Sequence, residues 1–336
     1  MTPQVAAGAA EHYRDRPVLV TGGASFIGAH LSAALVAAGA RVRVVDDLST
    51  GRSEALAGLD LELEVADLRR DGVAERAVAG IDTVFHLAAR HGGREYVDAH
   101  PLECVGNVAL DHVLLRAARE CRRIVFTSSA CVYPLDAPGA TPRRAPWSEP
   151  EAGFDVPGAA FADGEYGWAK LYTELQLRAL HRAEGVGVGI CRLFNVYGPR
   201  ESDTHAIVAL VDRALRRIDP FTVWGDGTQQ RCFTHVTDTV RGLLAAGRAD
   251  GFGVHNIASD RVTTIDELVE AIFAAVGWRP ERIEHLVGAP TGALSRIADV
   301  SRAAAELGWR AEVPLEEGLA ELVAHRRRLL ADDPPA

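Results

Sequence analysis

The sequence predicts an α/β fold with a doubly wound parallel sheet, followed by a smaller second lobe. Three observations support this fold. Short apolar segments alternate with segments of helical spacing from residue 17 to about residue 195, a pattern typical of a parallel sheet covered on both faces. The 336 residues are 48% hydrophobic, which is enough for a large core. After residue 195 the alternation breaks into shorter pieces, which indicates the second lobe.

The elements of the first part follow one another at regular intervals. The predicted strands are Pro17–Thr21, Arg41–Asp46, Leu61–Ala66, Thr83–Leu87, Arg123–Thr127 and Gly187–Leu193. The most distinct predicted helices are Phe26–Ala38, Pro101–Glu120 and Tyr166–Glu184. The segment 135–165 is rich in Pro, Gly and Ala, which is typical of a long loop over a site.

We expect two lobes with short tails at either end. The parallel-sheet domain comprises residues 17–195 and about 231–260, and the second lobe comprises about 196–230 and 261–328. The remaining residues, 1–16 and 329–336, are predicted to be tails, the first of them flexible.

Composition excludes several classes of protein. A net charge of −10 argues against a nucleic-acid partner, because neutralising phosphates requires a basic face. No apolar run reaches ~18 residues without a charge, so no membrane span is predicted, and the N-terminus lacks the pattern of a secretory signal. The five cysteines form no Cys-x-x-Cys pair, so neither a disulfide framework nor a metal site is predicted. We therefore expect a cytoplasmic protein.

A glycine-rich turn joins the first strand to the first helix. Thr21-Gly-Gly-Ala-Ser-Phe-Ile-Gly28 would bring a pyrophosphate close to the helix N-terminus, whose free N–H groups favour anions. Asp46 and Asp47 end the second strand, where a carboxylate binds the ribose of NAD and repels the 2′-phosphate of NADP. The turn and the acids predict a Rossmann-type domain that binds NAD. One position departs from the usual pattern, because Ser25 stands where a middle glycine is expected.

Five segments together resemble the extended short-chain dehydrogenase/reductase family of nucleotide-sugar enzymes, over roughly residues 17–325. They are the glycine-rich turn, Asp46-Asp-Leu-Ser-Thr-Gly51, Asp67-Leu68, His86-Leu-Ala-Ala89 and Tyr166-Gly-Trp-Ala-Lys170. The residues that the turn and this resemblance assign to the cofactor are Gly22, Ser25, Phe26, Ile27, Gly28, Asp46, Asp47, Ser49, Asp67, Leu68, Leu87, Ala88, Ala89, Tyr166 and Lys170.

Tyr166 and Lys170 are the predicted general-base pair. They are four residues apart on a predicted helix and therefore share one face. A free phenol has a pKa of ~10, and a nearby ammonium favours the phenolate that removes a proton from a sugar hydroxyl. Lys170 is the single lysine among 36 basic residues, so its place in this motif is not a chance match.

The end of the fifth strand distinguishes among reactions. The resemblance implies that Ser129 binds the reacting C4 oxygen. Sugar 4,6-dehydratases place Asp-Glu at the next two positions and related decarboxylases keep the glutamate, whereas this chain has Ala130-Cys131. The segment Ser128–Pro134 instead resembles GDP-mannose 3,5-epimerase, and GDP-fucose synthase has a similar arrangement. In both, the cysteine exchanges a proton beside a ketone. The alternative for Cys131 is a buried cysteine at a strand end.

A second acid/base is needed on the opposite face of the sugar. His205 follows Tyr197-Gly-Pro199, where the resemblance implies the lysine of the 3,5-epimerase or the histidine of fucose synthase. A histidine with pKa ~6.5 suits reversible proton transfer at neutral pH. The alternative for His205 is a histidine that only begins a helix.

The same resemblance implies how the substrate and a second subunit are bound. The substrate would be a nucleotide-diphosphate sugar, and Asn195, Arg231 and Arg296 would bind its diphosphate, although a surface role for each arginine stays open. The residues predicted to contact substrate are Gly92, Gly93, Ser128, Asn195, Arg231 and Arg296. Helices 101–120 and 166–184 would form a homodimer interface.

We therefore expect an NAD-dependent isomerase that makes a transient 4-ketone and inverts C3, C5 or both. The first alternative is a 4-epimerase, which needs only Tyr166, Lys170 and Ser129. A 4-keto-sugar reductase is a second alternative, although Asp46 and Asp47 disfavour NADPH. A third is a cofactor-sensing binding protein, which would not require the Tyr166–Lys170 pair.

Overall fold

The computed structural model describes residues 7–134, 145–152, 162–289 and 291–332. Within these residues the strands are β1 (Pro17–Thr21), β2 (Arg41–Asp46), β3 (Glu62–Val65), β4 (Thr83–His86), β5 (Arg123–Ser129), β6 (Gly187–Leu193), β7 (Val196–Tyr197), β8 (Phe221–Trp224), β9 (Gln230–Arg231), β10 (Thr234–His235), β11 (Phe252–Ile257), β12 (Thr263–Thr264), β13 (Ile283–Leu286) and β14 (Ser295–Arg296). The helices are α1 (Ala7–Tyr13), α2 (Phe26–Ala37), α3 (Val73–Val78), α4 (Arg94–Ala99), α5 (Pro101–Val105), α6 (Asn107–Ala117), α7 (Gly164–Glu184), α8 (Ala206–Leu215), α9 (Val236–Arg248), α10 (Ile265–Val276), α11 (Ser301–Leu307) and α12 (Leu315–Asp332).

One seven-stranded sheet forms the centre of the molecule, which confirms the predicted fold class. Its order is β11-β6-β5-β4-β1-β2-β3, and every neighbouring pair is parallel. The central strands are apolar on both faces because helices cover both faces. Helices α1, α2 and α9 contribute to the core on one face, and α3, α6 and α7 to the core on the other.

The order of the strands determines where a ligand can bind. β1 lies between β2 and β4, so the chain leaves β1 toward one side of the sheet and returns on the other. Ligands of open parallel sheets bind outside the carboxyl ends of the strands at this reversal. The glycine-rich turn follows β1, and the predicted catalytic serine ends β5.

The second lobe has its own core. Val211 on α8, Phe221 on β8, Ile272 on α10 and Leu319 on α12 are fully buried together. By contrast, β11 pairs with β6 in the main sheet, although β11 comes after residues 196–230 in the sequence, the first predicted segment of the second lobe. No helix in the described ranges is long and apolar enough to cross a membrane.

The prediction of a flexible N-terminal tail is wrong for residues 7–16. Residues 7–13 form α1, whose Tyr13 is fully buried and donates a hydrogen bond of 2.9 Å to the Leu244 carbonyl. Gly247 on α9 leaves room for the Tyr13 hydroxyl, because a side chain there would overlap with it. A single aromatic side chain thus fixes a short, Ala-rich segment to the domain.

Other boundaries differ in detail. The helix predicted over residues 101–120 is interrupted at Gly106 and ends in a 3₁₀ turn, Ala118–Glu120, since glycine weakens a helix. Residues 329–332 belong to α12 and not to a tail. Of the predicted loop 135–165, residues 135–144 and 153–161 lie outside the described residues.

Candidate active site

The turn after β1 requires its first and last glycines. Gly22 has a φ of +69°, and a Cβ there would lie 2.8 Å from the Ala88 backbone nitrogen. A Cβ on Gly28 would overlap with the Gly22 carbonyl oxygen. The turn therefore packs between the end of β4 and the first turn of α2 with backbone atoms only, which leaves a concave surface at the helix N-terminus.

Ser25 is accommodated at the unusual position in this turn. Its hydroxyl donates a 2.6 Å hydrogen bond to the Gly22 carbonyl, and its backbone is extended, with φ −81° and ψ 179°. The side chain does not cap α2, so the N–H groups of Phe26 and Ile27 in the first turn lack partners within the helix. Such groups favour an anion.

The two acidic residues after β2 have different partners. Asp46 is buried and accepts hydrogen bonds from the Ala24 and Leu48 backbone N–H groups, at 2.9 and 2.8 Å. Burial raises the pKa of Asp46, and these two bonds oppose the rise. Asp47 instead faces Arg90, with 3.0 Å between the carboxylate and guanidinium.

A cleft at the reversal point brings the predicted cofactor residues together. Those that line it are Gly22, Ser25, Asp46, Asp47, Ser49, Asp67, Leu68, Leu87, Ala88 and Ala89. Sequence reasoning missed Arg90 and His91 as cleft residues. Asn107, which also lines the cleft, accepts a hydrogen bond from the Arg90 N–H and donates one to the Arg90 carbonyl, at 2.7 and 2.9 Å. These bonds fix the loop after β4.

Tyr166 and Lys170 lie together at the end of β5, as the spacing predicts. The Lys170 ammonium is 5.8 Å from the centre of the Tyr166 ring and donates a 2.9 Å hydrogen bond to the Thr127 carbonyl. Burial lowers the pKa of Lys170. Burial also raises the pKa of Tyr166, and its interaction with the Ser129 hydroxyl lowers it. The phenol therefore needs further positive charge to ionise near neutral pH.

The two serines at the end of β5 face opposite ways. Ser129 accepts a 3.1 Å hydrogen bond from the Cys131 N–H and lies beside Tyr166. Ser128 is buried and donates a 2.5 Å hydrogen bond to the Glu174 carboxylate. The prediction that Ser128 contacts substrate is therefore wrong, because successive residues of a strand point to opposite faces.

Cys131 directly follows this strand and packs against the start of α7. A side chain on Gly167 would overlap with the Cys131 carbonyl, so the glycine after Tyr166 permits this close approach. Burial raises the pKa of the Cys131 thiol, and so does Asp163, while Arg296 and the Ser129 hydroxyl lower it. A thiol that stays protonated can serve as a proton donor.

His205 is held by a carboxylate that sequence reasoning missed. The His205 Nδ1 lies 3.0 Å from Oε1 of Glu201, whose side chain is 2% exposed. Burial raises the pKa of Glu201, and His205 lowers it. The His91 ring stacks on His205 at 6.3 Å, and its pKa is lowered to about 4 by desolvation and by the charges of His205 and Lys170. The available signal was an acid four residues before the histidine.

The predicted substrate glycines bring the loop after β4 to this histidine. A side chain on Gly93 would overlap with the Thr204 carbonyl and lie 3.6 Å from the His205 ring. A side chain on Gly92 would lie 2.6 Å from the Cβ of Tyr96. Both glycines therefore permit tight packing beside the cleft.

Of the three residues predicted to bind the diphosphate, Asn195 and Arg231 differ from Arg296 in their surroundings. Asn195 is exposed and has a φ of +32°, a conformation that is unfavourable for a non-glycine residue and common at functional sites. Arg231 donates hydrogen bonds to the Gln230 and Thr291 carbonyls, and burial lowers its pKa to about 10. Both side chains remain suited to an anion.

Arg296 differs from its prediction. It is buried, and it donates hydrogen bonds to the Tyr133 and Pro134 carbonyls and to Asp163, at 2.8, 3.2 and 3.1 Å. Its guanidinium therefore holds the segment after Cys131 against the N-terminus of α7. The predicted diphosphate contact therefore differs from what the structure shows, because both terminal nitrogens of this buried guanidinium already donate to protein acceptors.

The chain is similar to a known protein family and to proteins of known activity. Residues 18–258 match the model of the NAD-dependent epimerase/dehydratase family. UDP-glucuronic acid decarboxylase 1 of Arabidopsis thaliana is 32% identical over 326 residues, covering 94% of this chain and 71% of that protein. GDP-mannose 3,5-epimerase 1 of Oryza sativa subsp. japonica is 28% identical over 314 residues, covering 90% and 79%.

The similarity extends to a solved structure. The crystal structure of UDP-glucose 4-epimerase from Thermotoga maritima with UDP-glucose superposes with a TM-score of 0.82 at 29% identity. It covers 94% of this chain and 99% of that one. The names of these three relatives describe three different reactions, so residues of the site have to decide among them.

Proposed function

This chain belongs to the NAD-dependent epimerase/dehydratase family, and we propose that it is a nucleotide-sugar epimerase that inverts C3, C5 or both through a transient 4-ketone. The observation that carries the proposal is the position of Cys131. Cys131 lies two residues after Ser129, its N–H donates a 3.1 Å hydrogen bond to the Ser129 hydroxyl, and its carbonyl packs on the turn of α7 that contains Tyr166. A proton donor thus lies next to Ser129 and Tyr166, the two groups that would act on the C4 hydroxyl.

The cleft residues fit NAD. The turn between Gly22 and Gly28 leaves a concave backbone surface, and the first N–H groups of α2 border it. Asp46 stands at the end of β2, where a carboxylate binds the ribose. When bound, NAD supplies a hydride acceptor for the sugar carbon and a positively charged ring.

Tyr166 and Ser129 act on the C4 oxygen in this proposal. The phenolate removes the hydroxyl proton, Ser129 steadies the oxygen by a hydrogen bond, and the Lys170 ammonium favours the phenolate electrostatically. The 4-ketone that results acidifies the C–H bonds at C3 and C5. The same groups return the proton when the ketone is reduced at the end of the cycle.

Cys131 and His205 exchange the carbon-bound protons. His205 donates its Nδ1 proton to Glu201 in a hydrogen bond, so Nε2 is the basic nitrogen of the neutral ring. Cys131 enters as a thiol and donates a proton to the opposite face. One group removes the proton and the other returns one, which inverts the carbon without net change in its oxidation state.

The absence of a carboxylate at the two positions after Ser129 argues against a dehydratase and a decarboxylase. Ala130 is buried and Cys131 follows it, where the dehydratases and decarboxylases of the resemblance place acids. The second candidate is a 4-epimerase, favoured by the likeness to the UDP-glucose 4-epimerase structure. That reaction needs Tyr166, Lys170 and Ser129 but not Cys131.

The substrate in this proposal is a nucleotide-diphosphate sugar. Arg231 and Asn195 are the groups that we assign to its diphosphate, and the Gly92–Gly93 segment to the sugar. Their assignment is supported by the exposed side chain and positive φ of Asn195 and by the partly buried guanidinium of Arg231.

The protein forms a homodimer in this proposal. Leu102 and Val105 on α5 and Tyr172 on α7 are exposed, at 82%, 41% and 46%, and exposed apolar side chains on neighbouring helices favour association.

The five cysteines are all free, which supports the cytoplasmic location that the composition predicts.

Incubation in D₂O tests the proposed reaction. The enzyme is mixed with GDP-, UDP-, ADP- and dTDP-hexoses, and the recovered sugars are analysed by NMR. We expect deuterium at C3 or C5 of one substrate. Inversion at C4 without solvent deuterium would contradict the proposal and support the 4-epimerase.

A further inference from the structure

A chain of buried hydrogen bonds connects the cofactor turn to the helix of the general-base pair. The Thr21 hydroxyl lies 2.7 Å from the His86 Nδ1, and the His86 Nε2 lies 2.9 Å from Asp111 Oδ1. Thr173 donates to Asp111 Oδ2 at 2.5 Å. All four side chains are fully buried. The chain runs from β1 through β4 and α6 to α7.

Counting donors and acceptors fixes the charge of His86. The Thr21 hydroxyl oxygen accepts from the Ala88 N–H at 3.2 Å and shares the Leu87 N–H with the Thr21 carbonyl, so the partner that can accept its own proton is the His86 Nδ1. The imidazole then carries its proton on Nε2 only and donates it to Asp111. His86 is therefore neutral and does not balance the charge of Asp111.

Lys170 is the cation that remains for Asp111. The Lys170 side chain is buried, with 2% exposure, and its hydrogen-bond partner is the uncharged Thr127 carbonyl. Glu174 also faces Lys170, but Arg192 already pairs with Glu174 through bonds of 2.6 and 3.0 Å. Asp111 has no such cation among its hydrogen-bond partners in the described residues.

We propose that Asp111 is the buried counter-ion of Lys170 and a positioning residue for the Tyr166–Lys170 pair. The proposal rests on the role of that pair in the proposed function. A buried ammonium without a counter-charge would lose its proton, because desolvation disfavours the charged form. Asp111 keeps Lys170 cationic, and its 2.5 Å contact with Thr173 shows that the carboxylate lies about one helical turn from Lys170 along α7.

The groups that surround the pair define the expected pH dependence. The Tyr166 ring lies 5.8 Å from the Lys170 ammonium, the charges of Asp111 on α6 and Glu174 on α7 raise the pKa of Lys170, and the charge of Lys170 lowers the pKa of His91 in the loop after β4. Cys104 and Cys131 act on Tyr166 as further titratable groups. Of these groups, Asp111 acts on both members of the pair, since its charge raises the pKa of Lys170 and of Tyr166.

Asp111→Asn should therefore lower both pKa values. The ammonium loses its counter-charge, and the phenol loses the repulsion that opposes its ionisation. An opposite charge at close range shifts a pKa by roughly one to three units. We expect the Lys170 pKa to fall by about one unit or more, and both limbs of the pH–rate profile to move to lower pH.

The single lysine permits a direct measurement. Because Lys170 is the sole lysine of the sequence, the untagged full chain grown with ¹³C-lysine gives one side-chain signal set without assignment. Its pH titration, with and without NAD, is compared for the wild type, Asp111→Asn and Thr173→Val. Thr173→Val is the matched control, since it removes a hydrogen bond to Asp111 but keeps the charge.

The outcomes are distinct. A lower titration midpoint in Asp111→Asn, with Thr173→Val near the wild type, supports the proposal. Equal midpoints in all three would overturn it, because Asp111 would then be protonated or electrostatically silent. If Asp111→Asn does not fold, Asp111→Glu keeps the charge and should retain the wild-type midpoint, whereas a midpoint lowered by a unit would contradict the proposal. The titration does not depend on epimerase activity, so failure of the proposed function is recognised separately.

Discussion

Glu201 Oε1 lies 3.0 Å from Nδ1 of His205, and this carboxylate is buried whereas the His205 side chain is 28% exposed. A buried carboxylate that accepts from one ring nitrogen fixes the tautomer and leaves the other nitrogen as a base. The pairing makes Glu201 a positioning residue for the proton exchange at carbon.

Glu201→Gln tests this pairing. The amide replaces the carboxylate that orients the His205 ring through Nδ1, so we expect solvent deuterium incorporation to fall by about tenfold or more. Formation of NADH absorbance on substrate addition, which reports oxidation at C4, should change little. Glu317→Gln on α12 is the control. Equal loss of both readouts in Glu201→Gln would show that Glu201 acts on folding and not on His205.

Cys131→Ala separates the two candidate functions. We expect deuterium exchange at C3 or C5 to fall by roughly a hundredfold or more, because one of the two proton-transfer groups is lost. Oxidation at C4 should persist, since Tyr166 and Ser129 remain. The buried Cys191→Ala serves as the control for loss of a thiol. Full turnover in Cys131→Ala would favour the 4-epimerase.

Lys170→Arg should reduce kcat by about a hundredfold or more. Arginine is larger and carries a delocalised charge, and the site encloses a compact ammonium between Phe126 and the Thr127 carbonyl. Arg182→Lys, an exposed change on the same helix, should leave kcat within about twofold. Steady-state kinetics and a melting curve of both variants check the expectation, and near-normal turnover of Lys170→Arg would refute it.

Gly22→Ala should abolish NAD binding, whereas Ser25→Gly should not weaken it. The first change forces a Cβ against the Ala88 backbone and a side chain into a φ of +69°, a strain of about 1–3 kcal/mol. The second removes only the Ser25 hydroxyl bond to the Gly22 carbonyl. Calorimetric titration with NAD measures both, and tight binding by Gly22→Ala would contradict the role of this turn.

Tyr13→Phe and Tyr13→Ala test whether α1 belongs to the domain. Loss of the hydroxyl bond to Leu244 should cost about 1 kcal/mol of unfolding free energy. Loss of the buried ring should cost about 3–5 kcal/mol. Denaturant unfolding monitored by circular dichroism gives both values. Unchanged stability in Tyr13→Ala would mean that α1 does not pack as described.

Elements with strong local patterns could be predicted closely. β1, β2 and β6 have the predicted bounds because their apolar runs end at glycine or acidic residues. The turn between Gly22 and Gly28 could be predicted because its glycines stand between a strand and a helix. The structure explains why glycine is needed there, since a Cβ on either residue would meet backbone atoms at short range. Helical spacing predicted that Tyr166 and Lys170 share one face, while their proposed role rests on the family resemblance of this segment.

Residues that depend on distant partners could not be predicted in this way. Ser128 and Arg296 have the residue types of substrate contacts, yet their partners are Glu174 on α7 and the segment after Cys131. Asp111 and Glu201 are of residue types that usually lie at the surface, but both are buried. Nothing in their local sequence indicates that burial.

The sequence by itself determined the parallel sheet, the glycine-rich turn after β1 and the adjacency of Tyr166 and Lys170, because each depends on periodicity or on backbone geometry within a few residues. The tertiary structure alone decided which polar groups are buried beside them. Asp111 meets His86 from a different element, 25 residues away, and Thr173 from a third, 62 residues away. The charge balance of a buried site is set by such long-range contacts, since desolvation depends on all the elements that enclose it.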